Sequence, residues 1–270
     1  MSARRERILA ELELGPRWRL RGRARPVEDP QVASDRRPPL DDAVAADRPA
    51  RPEGASASLD LDDRAARIAR MDWAELKAAV GACEACALCR TRTNTVFGVG
   101  DERAGWLIVG EAPGAEEDAR GEPFVGQAGR LLDSMLAAIG LRRGKDVYIA
   151  NVLKCRPPGN RNPEPYEVVQ CTPHLVRQIE LIRPRLILAM GRAAAQTLLS
   201  TEASIASLRG RIFRYQGVPT IVSYHPAYLL RNLPDKSKAW EDLCFARATM
   251  QELRAAPPKS LAQPAKGEPQ

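Results

Sequence analysis

Cys83, Cys86 and Cys89 stand in a C-x-x-C-x-x-C run, and Cys155 and Cys171 follow far downstream on the two flanks of a Pro/Asn-rich segment that runs from Arg156 to Pro165. Five thiols in this arrangement are enough to hold an iron–sulfur cluster or a structural zinc, since thiolate is a ligand of both. A site closed by these sulfurs would tie the start of a domain to its middle. In a reducing compartment disulfides are uncommon, so the cysteines read as metal ligands before they read as bridges. Cys244 stands apart in a helical stretch and reads as a packed core thiol.

A second set of chemistry-bearing residues falls just past short apolar runs. Gly110-Glu-Ala-Pro-Gly114, with Glu116, Glu117 and Asp118, follows the first run. Asn151 follows the second, and the segment His225-Pro-Ala-Tyr-Leu-Leu-Arg231 follows the fourth. Ligands of open α/β sheets bind beyond the carboxyl ends of the strands, so these segments are where a pocket is expected. Taken singly, each has a plainer reading. Gly and Pro close many strand-to-helix turns, and this turn lacks the Lys and Ser/Thr of a phosphate-gripping P-loop. Asn151 alone would cap a turn, Phe124 would anchor a loop, and the acidic run 116–118 would be a solvated face. His174 reads as a surface or packing residue of a helix.

The elements that must position these residues are legible from periodicity. Trp106–Gly110, Val147–Asn151, Leu186–Met190 and Thr220–Tyr224 are short and nearly uniformly apolar, as strands buried on both faces of a parallel sheet are. Helical spacing separates them. Leu131, Leu132, Met135, Leu136 and Ile139 form one stripe, and Val168, Val169, Leu175, Val176, Ile179 and Ile182 a second; Ala193–Leu199 and Lys238–Leu253 are two further helical stretches. Arg209–Thr220 reads as an added hairpin turning at Gln216-Gly217. The series predicts a three-layer α/β/α domain around a mostly parallel central sheet.

With 270 residues, of which 44% are hydrophobic, the chain can bury one full-sized core and still carry tails. Residues 1–20 read as a short helical segment with Ile8, Leu9, Leu12 and Leu14 on it. Residues 21–65, dominated by Pro, Arg, Asp and Ala, read as a disordered linker. The folded domain is expected over 66–254, and 255–270 as a loose tail. The formal charge of +7 favours a polyanionic partner. The sequence has no apolar run long enough to span a membrane and no apolar stretch after Met1, so a cytoplasmic protein is expected.

Taken together, Gly110 to Asp118, the segment Gly121-Glu-Pro-Phe-Val-Gly126, Asn151-Val-Leu-Lys-Cys-Arg-Pro-Pro158, Cys171 and His225 to Arg231 resemble the family 4 uracil-DNA glycosylases in identity, order and spacing, from about Cys83 to Arg247. The resemblance implies a [4Fe–4S] cluster, a glycosylase α/β/α fold, uracil-containing DNA as substrate, and a monomer that hydrolyses the uracil N-glycosidic bond and leaves an abasic site. It places the cluster ligands on Cys83, Cys86, Cys155 and Cys171 and leaves Cys89 over. Spacing alone does not choose four of the five sulfurs, and zinc stays open as the occupant. Lys154, Arg156 and Arg161, beside the cluster, are expected to meet phosphates.

The resemblance also assigns the pocket. Phe124 matches a residue that stacks on the flipped base, and Asn151 one that reads its edge, donating to uracil O4 and accepting from N3–H where cytosine presents the opposite sense. His225 matches a donor near O2, where negative charge grows as the bond breaks. Gly110, Glu111 and Ala112 lie along base and sugar, and Glu111 or Glu117 is a candidate to orient water. His225 to Arg231 reads as a loop, on which Leu229 or Leu230 is the expected wedge into the gap left by the base, with Arg231 on a phosphate. The alternative from another class is a cluster-bearing DNA-binding sensor of uracil or damage that does not turn over.

Overall fold

The computed structural model describes residues 54–255. The expected helical segment at 1–20, most of the expected linker and almost all of the expected C-terminal tail lie outside the described residues. In chain order the elements are helices α1 (Gly54–Ile68) and α2 (Trp73–Gly81), strands β1 (Val99–Gly100) and β2 (Trp106–Gly110), helices α3 (Ala115–Arg120) and α4 (Gln127–Ala138), and strand β3 (Val147–Asn151). Helix α5 (Pro165–Ile182), strand β4 (Leu186–Met190), helices α6 (Arg192–Leu199) and α7 (Ile205–Leu208), strands β5 (Phe213–Tyr215) and β6 (Val218–Ser223), and helices α8 (Pro226–Arg231) and α9 (Lys236–Ala255) complete the chain.

The six strands form one sheet in the order β1-β3-β2-β4-β6-β5, whose four central strands are parallel and whose two edges are antiparallel. Every residue of β2, β3 and β4 is buried, which is why these strands read as continuous apolar runs rather than as alternation. Successive residues still face opposite layers. Leu107, Val109, Ala150, Ile187 and Ala189 pack with Leu175 and Ile179 of α5 and Leu198 of α6, while Ile108, Ile149, Leu188 and Ile221 pack with Leu132 and Leu136 of α4 and Leu243 of α9. The sheet therefore sits between two helical layers, as the alternation of strands and helices predicts.

Register decides what the strand ends bring together. Gly110 is the partner of Asn151 across β2 and β3, and Met190 is the partner of Ser223 across β4 and β6. The parallel strands thus release their following segments on one rim.

Three expectations need correction. The linker does not run to residue 65, because α1 covers 54–68; Ile68 is buried against Leu76, Val80 and Phe97, and that tertiary contact supplies what the polar local composition does not. The segment after His225 is a helix rather than a loop: His225 is its N-cap and Pro226, with its fixed φ and missing N–H, starts it. Strand β1, two residues long, was not anticipated, being too short for any periodicity to show. Among the described residues, no helix is long and apolar enough to cross a membrane.

Candidate functional site

A cleft of about 830 Å³ opens at the carboxyl rim of the sheet, and Glu111, Ala112, Phe124, Asn151, His225 and Arg231 are among the residues that line it. The structure thus gathers residues that are separated by more than a hundred positions in the chain. Gly110, grouped with them in sequence, stands behind the cleft. A Cβ there would run into the Asn151 amide oxygen and the Phe124 ring, so glycine is what allows these two side chains to close on each other.

Asn151 ends β3 and is 2% exposed. Its backbone carbonyl accepts a hydrogen bond from Lys154 Nζ at 2.8 Å, which holds the end of the strand in place. Its side-chain Oδ1, however, is buried without a hydrogen-bond partner. A buried carbonyl oxygen left unpaired costs on the order of 1–3 kcal/mol, so an acceptor kept in this state is poised for a donor from a ligand.

Phe124 sits in the left-handed region at φ 56°, a conformation unfavourable for a bulky residue. Four hydrogen bonds from two side chains hold it there. Arg143 donates to the carbonyls of Pro123 and Phe124, each at 2.8 Å, and Glu117 Oε1 accepts from the backbone N–H groups of Val125 and Gly126 at 3.0 and 3.3 Å. The ring lies 5.3 Å from that of His225, stacked at 28°.

His225 accepts a hydrogen bond at Nδ1 from the Ala227 N–H, 3.1 Å away. A neutral imidazole that accepts at Nδ1 carries its proton on Nε2, so the ring offers an N–H donor. Burial pushes its pKa down to about 4, with Glu117 opposing the shift and Arg231 adding to it, so the ring is neutral at pH 7. The backbone just past β4 makes room for it, since a Cβ on Gly191, at φ 96°, would stand 2.8 Å from the His225 Cβ.

The two carboxylates proposed for water differ. Glu111 makes no side-chain hydrogen bond or ion pair among the described residues, and burial raises its pKa. Glu117 also accepts from the Gly114 N–H at 3.1 Å, and so spends both oxygens on backbone groups. The acidic run is a solvated face only at Glu116: Asp118, 3% exposed, accepts from the backbone N–H groups of Thr93 and Asn94 and fastens the segment after the cysteine run to α3. Arg192, at the end of β4, lines the cleft and was overlooked; the strand-end rule that located Asn151 applies to it equally.

The paired leucines are told apart by burial. Leu229 is 1% exposed and belongs to the core, whereas Leu230 is exposed beside Arg231 and Leu233. Lys154 is not free for phosphate. It is fully buried, donating to Asn151 O and, at 2.6 Å, to Gln178 Oε1, and burial lowers its pKa to about 8. Arg161, exposed, pairs with Glu167 at 2.5 Å, and Arg156, half-buried, donates to Asn160 at 2.7 Å.

On the far side of Lys154 lies the cysteine site. Cys83, Cys86, Cys155 and Cys171 line one cavity, and Cys89 is not among its lining residues. They surround the cavity rather than converge on a point: among the described residues, no three Cys, His, Asp or Glu side chains gather closely enough to hold a single metal ion. The surroundings are rich in donors. Arg92 Nη1 reaches Cys155 Sγ at 3.2 Å, the Lys154 backbone N–H reaches Cys171 Sγ at 3.2 Å, and Arg64 Nη2 lies 3.5 Å from Cys83 Sγ. Burial raises the thiols of Cys86 and Cys155 and pushes Cys171 up to about 12, against the opposing pull of Arg92 and Lys154. His174 is not a surface residue: it is 2% exposed, lines the same cavity, and has a buried Nδ1 without a partner. Four thiols and an orphaned buried ring nitrogen facing clustered N–H donors fit a thiolate-ligated, negatively charged group.

Comparison with known proteins gives a consistent likeness. The family model of the uracil DNA glycosylase superfamily matches residues 97–244. The chain is 53% identical over 156 residues to a type-4 uracil-DNA glycosylase of Archaeoglobus fulgidus, covering 55% of this chain and 78% of that protein. It is 42% identical over 183 residues to the type-4 enzyme of Pyrobaculum aerophilum, covering 65% of this chain and 93% of that protein, and 46% identical over 152 residues to that of Thermotoga maritima, covering 56% and 79%.

Proposed function

The chain belongs to the uracil DNA glycosylase superfamily, and on that premise we propose that it hydrolyses the N-glycosidic bond of uracil in DNA, releasing the base and leaving an abasic site. The observation that carries the reading is the buried, unpartnered Oδ1 of Asn151, in the same cleft as the donor face of His225. Uracil turned out of the duplex stacks on Phe124 and gives its N3–H to Asn151 Oδ1, while the Asn151 amide donates to O4. Cytosine, which has no N3–H and carries an amino group at C4, leaves Asn151 mismatched on both atoms.

As the bond between N1 and the sugar breaks, negative charge collects on the base. His225, neutral and with its proton on Nε2, donates to O2 and stabilises that charge; one such preorganised donor is worth about 10²–10³ in rate. Glu111 is the carboxylate left free by the local hydrogen bonding, and we assign it to the water that captures the sugar cation. Leu230, the exposed leucine of α8, is the wedge that fills the gap in the duplex, with Arg231 beside it for a phosphate. Lys154 does not line the cleft, and its ammonium is held in hydrogen bonds away from the sugar, which favours simple hydrolysis over strand cleavage by an amine.

The cysteine site takes a [4Fe–4S] cluster on Cys83, Cys86, Cys155 and Cys171 in this reading. When bound, the cluster supplies a cross-link rather than a reagent, joining the segment before β1 to the segment after β3 and to α5. The catalytic domain then starts at α1 rather than at residue 66.

The test is a labelled oligonucleotide carrying one uracil, read after alkali, with wild type beside Asn151→Ala and His225→Ala. Alkali-labile product from wild type, sharply reduced in both variants, is expected. Absence of product from iron-loaded wild type that still retards the DNA would overturn hydrolysis in favour of a sensor.

A further inference from the structure

We propose that Arg64, on a helix that precedes the matched glycosylase region, is a positioning residue of the cysteine site, closing it on one side and tuning the electrostatics of the group held there. The inference rests on the cluster reading given above. Helix α1 ends before residue 97, where the family match begins, yet its Arg64 reaches across to both the cysteine run and α5. Nη1 donates to the Gln170 carbonyl at 2.7 Å, and Nη2 lies 3.5 Å from Cys83 Sγ and 3.4 Å from His174 Nε2.

One guanidinium therefore does three things. It fixes α1 to α5 through the Gln170 carbonyl. It sets a delocalised cation against the sulfur of a proposed ligand, an N–H···S contact of the kind that shifts cluster potentials. It also selects a tautomer of His174: arginine has only donors, so Nε2 facing it accepts, and the proton stays on Nδ1. That Nδ1 is the buried nitrogen without a partner on a ring that lines the cysteine cavity. With a thiolate-ligated cluster in the cavity, the Nδ1–H gains an acceptor, and Arg64 contributes one direct and one relayed donor to the same anionic group.

The sign follows from charge. A cation and N–H donors stabilise the reduced, more negative form of a cluster, so removing them makes reduction harder. They also cover the sulfur, so removing them lets solvent and oxidants in. The experiment uses the full chain in its iron-loaded form, comparing wild type, Arg64→Met, Arg64→Lys and Arg67→Met, the last an exposed arginine of the same helix. The readouts are the cluster's midpoint potential by voltammetry and the rate at which absorbance at about 400 nm, from thiolate-to-iron charge transfer, is lost in air. Arg64→Met is expected to have a more negative potential and to bleach several-fold faster, Arg64→Lys to fall between, and Arg67→Met to match wild type.

Wild-type potential and bleaching in Arg64→Met would overturn the inference alone, as would an equal shift in Arg67→Met. Wild type that is colourless and free of iron would overturn the cluster reading, and the inference with it.

Discussion

The uracil cleft and the cysteine site share one stretch of chain but keep opposite kinds of polar group unsatisfied. Asn151 and Cys155, four residues apart, line one each: the cleft leaves Asn151 Oδ1 without a donor, and the cysteine cavity leaves His174 Nδ1 without a partner. The cleft is open to solvent and holds back a bare acceptor on Asn151 and an N–H donor on His225, which in the proposed reading meet the two edges of a neutral base. The cysteine cavity is lined by thiols and enclosed by donors from Arg64, Arg92, His174 and the Lys154 backbone, an environment that suits an anion. Between them Lys154 is buried, its backbone N–H on Cys171 and its ammonium on the Asn151 carbonyl. A catalytic site and a structural one can thus be neighbours because unmet donors or acceptors, rather than proximity, define what each will bind.

Substitutions that strike one site and spare the other test this division. The largest effect is expected for His225→Ala, with excision of uracil slowed about 10²–10³-fold and the iron content and cluster absorbance of wild type. Cys171→Ser should do the reverse, losing iron and thermal stability, with activity falling only as the folded fraction falls; a colourless but fully stable variant would show the site to be dispensable to the fold.

Lys154→Met should breach the boundary. It leaves the Asn151 carbonyl and Gln178 Oε1 buried without their donor, a loss of about 1–3 kcal/mol for each unmet group, to be read by denaturant unfolding together with a lowered excision rate. Unchanged activity in a destabilised protein would mean that the strand end holds itself without the ammonium.

The leucine pair separates core from contact. Leu229→Ala should cost about 2–5 kcal/mol of stability, whereas Leu230→Ala should leave unfolding unchanged and slow excision from duplex DNA more than from single strands.

The smallest effect is a flat pH profile. His225 must be neutral to donate as described, and its pKa in the folded protein is pushed down to about 4, so the excision rate should not fall with His225 protonation until the pH approaches 4. The same shift contributes to stability. Its folded pKa lies below the ordinary histidine value of about 6.5, so this contribution is fully present above that value and is lost as the pH falls toward 4. An acid limb near pH 6.5 that disappears in His225→Ala would refute the neutral, buried ring.

Much of the fold was written in local pattern. Three of the four expected parallel strands have the expected bounds, and the fourth, Val218–Ser223, begins two residues earlier and ends one earlier, because the chain extends the ladder back to Tyr215. The hairpin turn at Gln216-Gly217 falls where Gly and a positive φ predict it. The site was legible in part. Residues past the ends of apolar runs could be picked out, but the room that Gly110 leaves for Asn151 and Phe124 could not, and Arg192 was passed over although it occupies the same kind of position. Lys154 was expected to meet phosphates and His174 to be a surface or packing residue; both are buried, so of the two readings of His174 packing is the one that holds. Their partners, Gln178 and the Asn151 carbonyl for Lys154 and Arg64 for His174, make that burial tolerable.

What the sequence by itself determined is the order of strands and helices, the pairing of apolar runs with polar strand-end segments, and the set of residue types able to read a base and to ligate a metal. These follow from periodicity and chemistry within a few residues. The tertiary structure alone decided that four of the five clustered cysteines line one cavity, that Leu229 is core and Leu230 exposed, that Glu117 is consumed by backbone amides while Glu111 is not, and that a helix beginning at Gly54 delivers Arg64 to Cys83 and His174. Each of these depends on contacts made across the folded chain, such as the 110 positions between Arg64 and His174; burial and pairing at that range arise from packing, which local sequence pattern does not specify.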